Sequence, residues 1–478
     1  MKEHYVKVVA RTVETDNIDN MTEEMFIFGG KAAGICYMPD DYLESSIQDK
    51  DKALKRAENN TKSGHHSVFD HGHISMLICT TKMGAMILNS LGVYATSEKS
   101  ARYTVMKPDT QLELDMYNKW TEKFQEIILK KYPNTDDSIL NARLCKKLGI
   151  DKKVIVKNNM LSISLDNIKD VENSEKLLNA YDILSELKKS DTLPSRKLAM
   201  ENARYMISVF TPTTMMYTIS FRQLFLTISY LEKLMFNCTY ILNDLDKNSE
   251  KYHLHVKLRE TAEDLKSDLE KLVDDIKIKE NKNQYIRFLE AQHVADIYNG
   301  KCAKLDERHE TRYCKEQLVA DSYTLVYNGS LAMLAQAQRH RTIRHSMYLE
   351  YSGQFGFYVP EIIKDTDLEK EWLDDINSVS YCVPQGTLVR ITEQGLFEDF
   401  ALKCKERMCG RAQLEIMNRT KDSINEFIDN MDKLCYEKKR LLRNITHNLT
   451  PCARCMYPDF KCTEGCQWGV KEALTRKI

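Results

Sequence analysis

Two stretches of the chain repeat one pattern. "HISMLICTTKMGAMILNS" begins at His73 and "SYTLVYNGSLAMLAQAQR" begins at Ser322. Each reads as a short strand of β-branched and aromatic residues, a small-residue turn and an apolar helix. A similarity at so long a period points to a duplicated domain, not to a solenoid of short repeats. Helical patterns recur elsewhere, in "SEKLLNAYDILSELKKS" from Ser174 and in the long run that starts at Leu269. The segment from Asp244 to Gln284 is dense in Lys, Glu and Asp and reads as a solvated helical connector between the two halves.

The second copy runs into an unusual stretch, "QRHRTIRHSMYLEYSG" from Gln338. It holds Arg339, His340, Arg341, Arg344 and His345, five basic side chains in seven positions, in a chain of 478 residues with a net charge of -1. Near-zero net charge gives no global attraction to nucleic acid or membrane, so the cluster is a local device. The helix "LAMLAQAQRHR" would place Arg341 at its C-terminal end, where the dipole favours a cation. That accounts for one or two charges and not for five. Guanidinium forks bind phosphate and carboxylate in two-pronged fashion, and a histidine among them can donate to a polar ring. The chemistry implied is capture of an anionic, planar ligand such as a nucleotide or a flavin.

Arg339-His340-Arg341 after a strand–helix unit, with "FYVP" at Phe357 and "AQLEI" at Ala412, resembles the flavin-dependent thymidylate synthases. That family's signature continues as Ser-x-Asn-Glu-x-Ser-x-Arg-Tyr. "EYSGQF" from Glu350 meets that portion only with inserted residues, and Gln354 stands where an Arg is expected. The missing portion lies in the first half: "SEKSARY" from Ser97 carries Glu98, Ser100, Arg102 and Tyr103 at the family's spacing. Upstream, His65, Ser67, Phe69, Asp70 and His71 of "GHHSVFDHGHISM" fall on the family's His-x-Thr-x-Phe-Glu-His segment. There, Ser90, Leu91 and Gly92 align with Arg-His-Arg. Arg204 and Arg222 match family arginines that contact the nucleotide and the flavin, and their counterparts in the second half are Ser380 and Glu398. Arg407 matches a further nucleotide arginine, and its counterpart is Leu231. At each informative position one half keeps the residue and the other does not.

The resemblance implies an α+β fold of two fused flavin-dependent thymidylate synthase-like domains, small antiparallel sheets packed with long helices. The first half would span 1–243 with a helical insertion at about 108–198. The connector would span 244–284, the second half 285–450 and a cysteine tail 451–478. The activity implied is methylation of dUMP to dTMP, with methylenetetrahydrofolate as carbon donor and NADPH reducing a bound FAD. By position, Glu98, Ser100, Arg102, Arg204, Gln336 and Arg407 would bind the nucleotide. His65, Ser67, Asp70 and Arg222 would line the flavin. Arg339, His340 and Arg341 would bridge the two and stabilise developing negative charge. The family's sites are shared between subunits of a homotetramer. A fused, complementary pair of halves would therefore form a pseudo-tetramer from two chains. Arg344 and His345 lie outside the family pattern. They leave open a related pyrimidine nucleotide, or transfer that leaves a hydroxymethyl group.

The tail "PCARCMYPDFKCTEGCQWG" holds Cys452, Cys455, Cys462 and Cys466, a Cys-x2-Cys opening with a second close pair. Four thiolates suit zinc and also an iron–sulfur cluster; zinc is preferred because the segment is short and needs no redox role. The other ten of the fourteen cysteines are scattered and read as reduced core thiols. No apolar run approaches a membrane span and the start lacks an apolar signal core, so a cytoplasmic location is expected. A basic cluster beside a zinc knuckle would also suit a non-catalytic nucleotide- or nucleic-acid-binding protein. The neutral net charge and the lack of a basic, aromatic-interleaved stripe argue against nucleic acid.

Overall fold

The computed structural model describes residues 21–34, 49–63, 66–99, 108–149, 154–163, 171–273, 322–348, 355–431, 452–456, 468 and 472–478. The long helical run expected from Leu269 falls mostly outside these residues. In chain order the first elements are α1 (Met21–Gly34), α2 (Lys50–Ser63), β1 (His73–Thr81), α3 (Lys82–Leu88) and β2 (Tyr94–Glu98). Then come α4 (Gln111–Lys131), α5 (Asp137–Leu148), β3 (Val154–Lys157), β4 (Met160–Ile163), α6 (Val171–Lys188) and α7 (Pro194–Ala203). They are followed by β5 (Pro212–Ser220), α8 (Phe221–Leu242) and α9 (Glu250–Lys271). The last group is β6 (Ser322–Ser330), α10 (Leu331–Ala337), β7 (Arg344–Tyr348), α11 (Asp367–Ser378), β8 (Leu388–Leu396), α12 (Phe397–Arg407) and α13 (Leu414–Met431). The α+β class expected from sequence is observed, and both quoted strands form where they were read.

These elements fall into two compact units that do not follow chain order. The first joins Met1–Glu98 to Pro212–Lys304, and the second joins Lys99–Thr211 to Leu305–Ile478. The first unit is built on a three-stranded antiparallel sheet in the order β1-β5-β2. Alternation buries Ile74 and Ile78 of β1 and Met215, Tyr217 and Ile219 of β5. Thr81 caps α3 by accepting from the Gly84 N–H, and Ser220 caps α8 by accepting from the Gln223 N–H. The charged stretch after α8 hides an apolar stripe: α9 lies along α8 and buries Leu254, Leu258, Ala262, Leu265 and Leu269.

The second unit repeats the plan. Its sheet runs β6-β8-β7, antiparallel throughout, with strands of nine, five and nine residues in sequence order, as in the first unit. Ser330 caps α10 as Thr81 caps α3. The helix ends at Ala337 with Gln338 as its cap, so Arg339, His340 and Arg341 stand in the turn beyond it and not in its last turn. Within this unit Ser208 and Pro384 form an antiparallel bridge, flanked by Val209 N–H to Val383 O at 2.9 Å and Gln385 N–H to Ile207 O at 2.8 Å. Ser208 precedes Pro212 by four residues and Pro384 precedes Leu388 by four, so matched positions face each other. The two segments thus pair at positions equally spaced from the strands that follow them. The core around it holds Trp120, Phe124, Ala199, Ala203, Tyr205, Ile207, Trp372 and Ile376. A satellite core of Leu140, Leu144, Leu148, Val156, Ala180 and Leu184 joins α5, α6 and the β3–β4 hairpin. That hairpin turns on Asn158 and Asn159, both at positive φ, as a two-residue turn requires.

Helices α1 and α2 touch backbone to backbone at Gly30. A Cβ there would fall within contact radius of the Ala53 carbonyl oxygen. Gly30→Ala should therefore overpack this crossing and lower stability by about 1–3 kcal/mol. The change should appear as a lower urea midpoint at unchanged slope; an unchanged midpoint would show that the helices can part freely.

Candidate functional site

In the second unit the site grows from one buried carboxylate. Glu415 on α13 accepts from Ser330 N–H at 2.8 Å, Ser330 Oγ–H at 2.6 Å and Tyr205 O–H at 2.9 Å. Gln413 Nε2 in turn donates to the Tyr205 hydroxyl. Burial raises the Glu415 pKa, while the Ser330 donors act in the opposite direction. This carboxylate fixes two backbone points at once. Arg204 is the neighbour of Tyr205, in a single 3₁₀ turn at the end of α7. Gln336 lies in the helix that Ser330 caps.

Arg204 is 3 % exposed, and its Nε and Nη2 have no acceptor among the described residues. Gln336 Nε2 is likewise buried and without an acceptor among the described residues. Arg407 Nε donates to His340 Nε2 at 2.7 Å, and its Nη2 reaches the Gln336 carbonyl oxygen at 3.4 Å. An acceptor at Nε2 means that His340 carries its proton on Nδ1, which faces Glu406 Oε2 at 3.5 Å. Burial, then the cations of Arg407 and Lys403, push the His340 pKa down to about 2, so the ring is neutral. Arg339, Arg341 and Arg344 are exposed, whereas His345 is buried beneath them. The structure thus brings Arg204, Gln336, His340 and Arg407 onto one connected scaffold, the first from the first half of the sequence and the rest from the second.

The first unit holds the described flavin candidates. Asp70 accepts from Ser220 Oγ–H at 2.8 Å and pairs with Arg222 Nη1 at 3.0 Å. Arg222 Nε is buried without an acceptor among the described residues. Ser67 stands exposed on the 3₁₀ turn His66–Asp70. Glu98 ends β2 and is held by Lys82 Nζ at 2.5 Å and Thr213 Oγ1–H at 3.1 Å. His65, Ser100 and Arg102 lie outside the described residues, as do Cys462 and Cys466. Cys452 precedes and Cys455 lies within the turn Arg454–Met456, which is docked by Arg454 N–H onto Met408 O at 2.7 Å. No set of three metal-binding side chains comes together among the described residues.

Sequence reading passed over Tyr205, Ser330 and Glu415. Glu415 belongs to the quoted "AQLEI", and Tyr205 adjoins a singled-out arginine, so both lay within reach of the motif argument. Ser330 could have been read as a helix cap.

The family model of the thymidylate synthase complementing proteins matches residues 22–232. That stretch is similar to this family, the flavin-dependent thymidylate synthases, a thymidylate synthase-type class of enzyme. No curated protein and no solved structure matched the chain. Among the described residues no helix is long and apolar enough to cross a membrane.

The neutral histidines make stability pH-dependent. His340 titrates at about 2 when folded against 6.5 when unfolded, so its contribution is full above pH 6.5 and lost as the pH falls. His345 and Glu393 are also shifted downward and act in the same direction, Glu393 below its ordinary 4.5. His340→Gln should flatten the fall in urea stability between pH 6.5 and 4.5 by up to about 1.4 kcal/mol per pH unit. An unchanged slope would place a charged His340 in the folded protein.

Proposed function

We propose that the chain is a flavin-dependent thymidylate synthase that methylates dUMP to dTMP, with methylenetetrahydrofolate as carbon donor and NADPH as reductant. The observation that carries this reading is the set of buried donors on Arg204 and Gln336 that lack an acceptor among the described residues, with Arg407 reaching from His340 to the Gln336 carbonyl oxygen. A buried guanidinium without an acceptor is costly unless an anion completes it. Arg204 and Arg407 would hold the phosphate, and the Gln336 amide would donate to the nucleotide. A neutral His340 with its proton on Nδ1 would hold Arg407 in place and leave that cation free of ring repulsion.

The residues of the first unit fit a flavin in one respect. Arg222 is oriented by Asp70 and keeps a buried Nε–H for an acceptor atom of the bound group. FAD would supply the reducing equivalents. Ser67, Asp70, Arg222 and His65 would orient it, and Arg339 and Arg341 would add positive charge.

We read the repeated sheet plan and the matched bridge at Ser208 and Pro384 as the trace of a tandem duplication. Two such chains would then form a pseudo-tetramer. Each half would contribute groups that the other has lost, so Arg102→Ala and Arg339→Ala should each abolish dTMP formation. Arg204→Gln should weaken dUMP binding by roughly 10- to 100-fold, the worth of hydrogen bonds to a charged group. Purified protein loaded with FAD and supplied with dUMP, methylenetetrahydrofolate and NADPH should yield dTMP by mass. A hydroxymethylated or other pyrimidine product would replace this substrate assignment. Colourless protein that takes up no FAD would end the reading.

The four tail cysteines are proposed to hold zinc, or failing that an iron–sulfur cluster, and to pin the C-terminal segment. Metal analysis of gently purified protein should give one zinc per chain, and metal-free protein would remove the site.

A further inference from the structure

The second sheet encloses a charged cluster that the proposed chemistry does not use. Glu393 of β8 is 0 % exposed and Lys403 of α12 is 1 % exposed. Glu393 Oε2 takes Lys403 Nζ at 2.5 Å and Tyr327 O–H at 2.8 Å, its Oε1 takes Tyr323 O–H at 2.7 Å, and His345 Nε2 lies 3.4 Å from Oε2. A buried ion pair gains little over an apolar pair of similar volume, so stability does not explain it.

The first unit supplies an internal control. Matched through strand register and helix start, the counterparts of Tyr323, Tyr327, His345, Glu393 and Lys403 are Ile74, Ile78, Thr96, Tyr217 and Thr227. None is charged. The same sheet and helix therefore form without any of these charges, and the fold does not require them.

What separates the two helices is their cargo. Lys403 and Arg407 are four residues apart on α12 and so share one face. Lys403 is pinned to Glu393 on the sheet, and Arg407 one turn on reaches His340 and the Gln336 carbonyl. The counterpart of Arg407 in the first unit is Leu231, a core residue with nothing to aim. We propose that Glu393 and Lys403 are positioning residues that fix the roll of α12 and thereby aim Arg407 at an anionic ligand. This deepens the nucleotide reading and, for the ligand's identity, rests on it.

The test is the double variant Glu393→Leu with Lys403→Met, which replaces the pair by apolar side chains and avoids leaving one charge buried alone. Its melting temperature is measured beside the parent, and the single variants report the cost of breaking the pair. Two further readouts are the ring ¹⁵N shifts of His340, which report the Arg407 hydrogen bond without ligand, and dUMP affinity by calorimetry. The expected result is a folded variant in which the His340 signal shows loss of the Arg407 donor. Its dUMP binding should fall roughly tenfold, and Arg407→Ala should add little in that background while costing at least as much in the parent. A folded variant whose His340 shifts match the parent would overturn the proposal. If the double variant does not fold, Lys403→Arg, which keeps the charge pair, should preserve the parent His340 signal; a lost signal there would likewise count against it. A parent that binds no dUMP but loses the His340 contact on substitution would uphold the positioning role and discard the nucleotide.

Discussion

The second unit depends on how Glu415 is satisfied. A buried carboxylate is tolerated only where donors surround it, and here they come from Tyr205 and from both the backbone and the hydroxyl of Ser330. These donors lie more than a hundred residues apart in sequence. Their convergence fixes the end of α7 against the start of α10. The remaining geometry follows from adjacency: Arg204 is next to Tyr205, and Gln336 lies under two turns along the helix from Ser330. A packing constraint thus brings residues from both halves of the sequence onto one scaffold.

Local periodicity made the sheets legible. Ile74 and Ile78 alternate with exposed residues, and the counterpart in β6 carries Tyr323 and Tyr327 at the same spacing. The end of α10 was not legible, because "LAQAQRHR" has no breaker to mark where the helix stops. The assembly of the units was hidden too. Nothing local in Lys99–Thr211 says that it packs with residues beyond Leu305, since that depends on Trp120 meeting Trp372, 4.9 Å between ring centroids and nearly perpendicular. Motif spacing picked out Arg204 and Arg407. It could not pick out Glu393 or Lys403, because a charge within a strand or helix ordinarily reads as solvent-facing, and only the fold buries them.

His345 illustrates the difference between composition and role. In sequence it is one of five clustered basic residues. In the structure it lies under the sheet against Glu393, while Arg339, Arg341 and Arg344 face solvent. The cluster is therefore two groups interleaved: exposed guanidiniums that can meet an anion, and buried imidazoles that serve the scaffold. His340 belongs to the second group by burial, yet through Arg407 it acts on the first.

The repetition of one plan within a single chain separates what the fold needs from what a ligand needs. Both units keep nine-, five- and nine-residue strands in the same order, and both keep a hydroxyl cap, Thr81 or Ser330, at the strand-to-helix junction. Those features satisfy backbone donors and set register, so neither copy can lose them. The charges obey no such rule. Where the second unit has Arg407 and Glu393, the first has Leu231 and Tyr217, in a sheet and helix of the same topology. A group absent from the first unit, whose sheet forms all the same, is not a structural requirement of that sheet plan. In the second unit Arg204 and Gln336 carry buried donors with no acceptor among the described residues, and Arg407 reaches the Gln336 carbonyl oxygen.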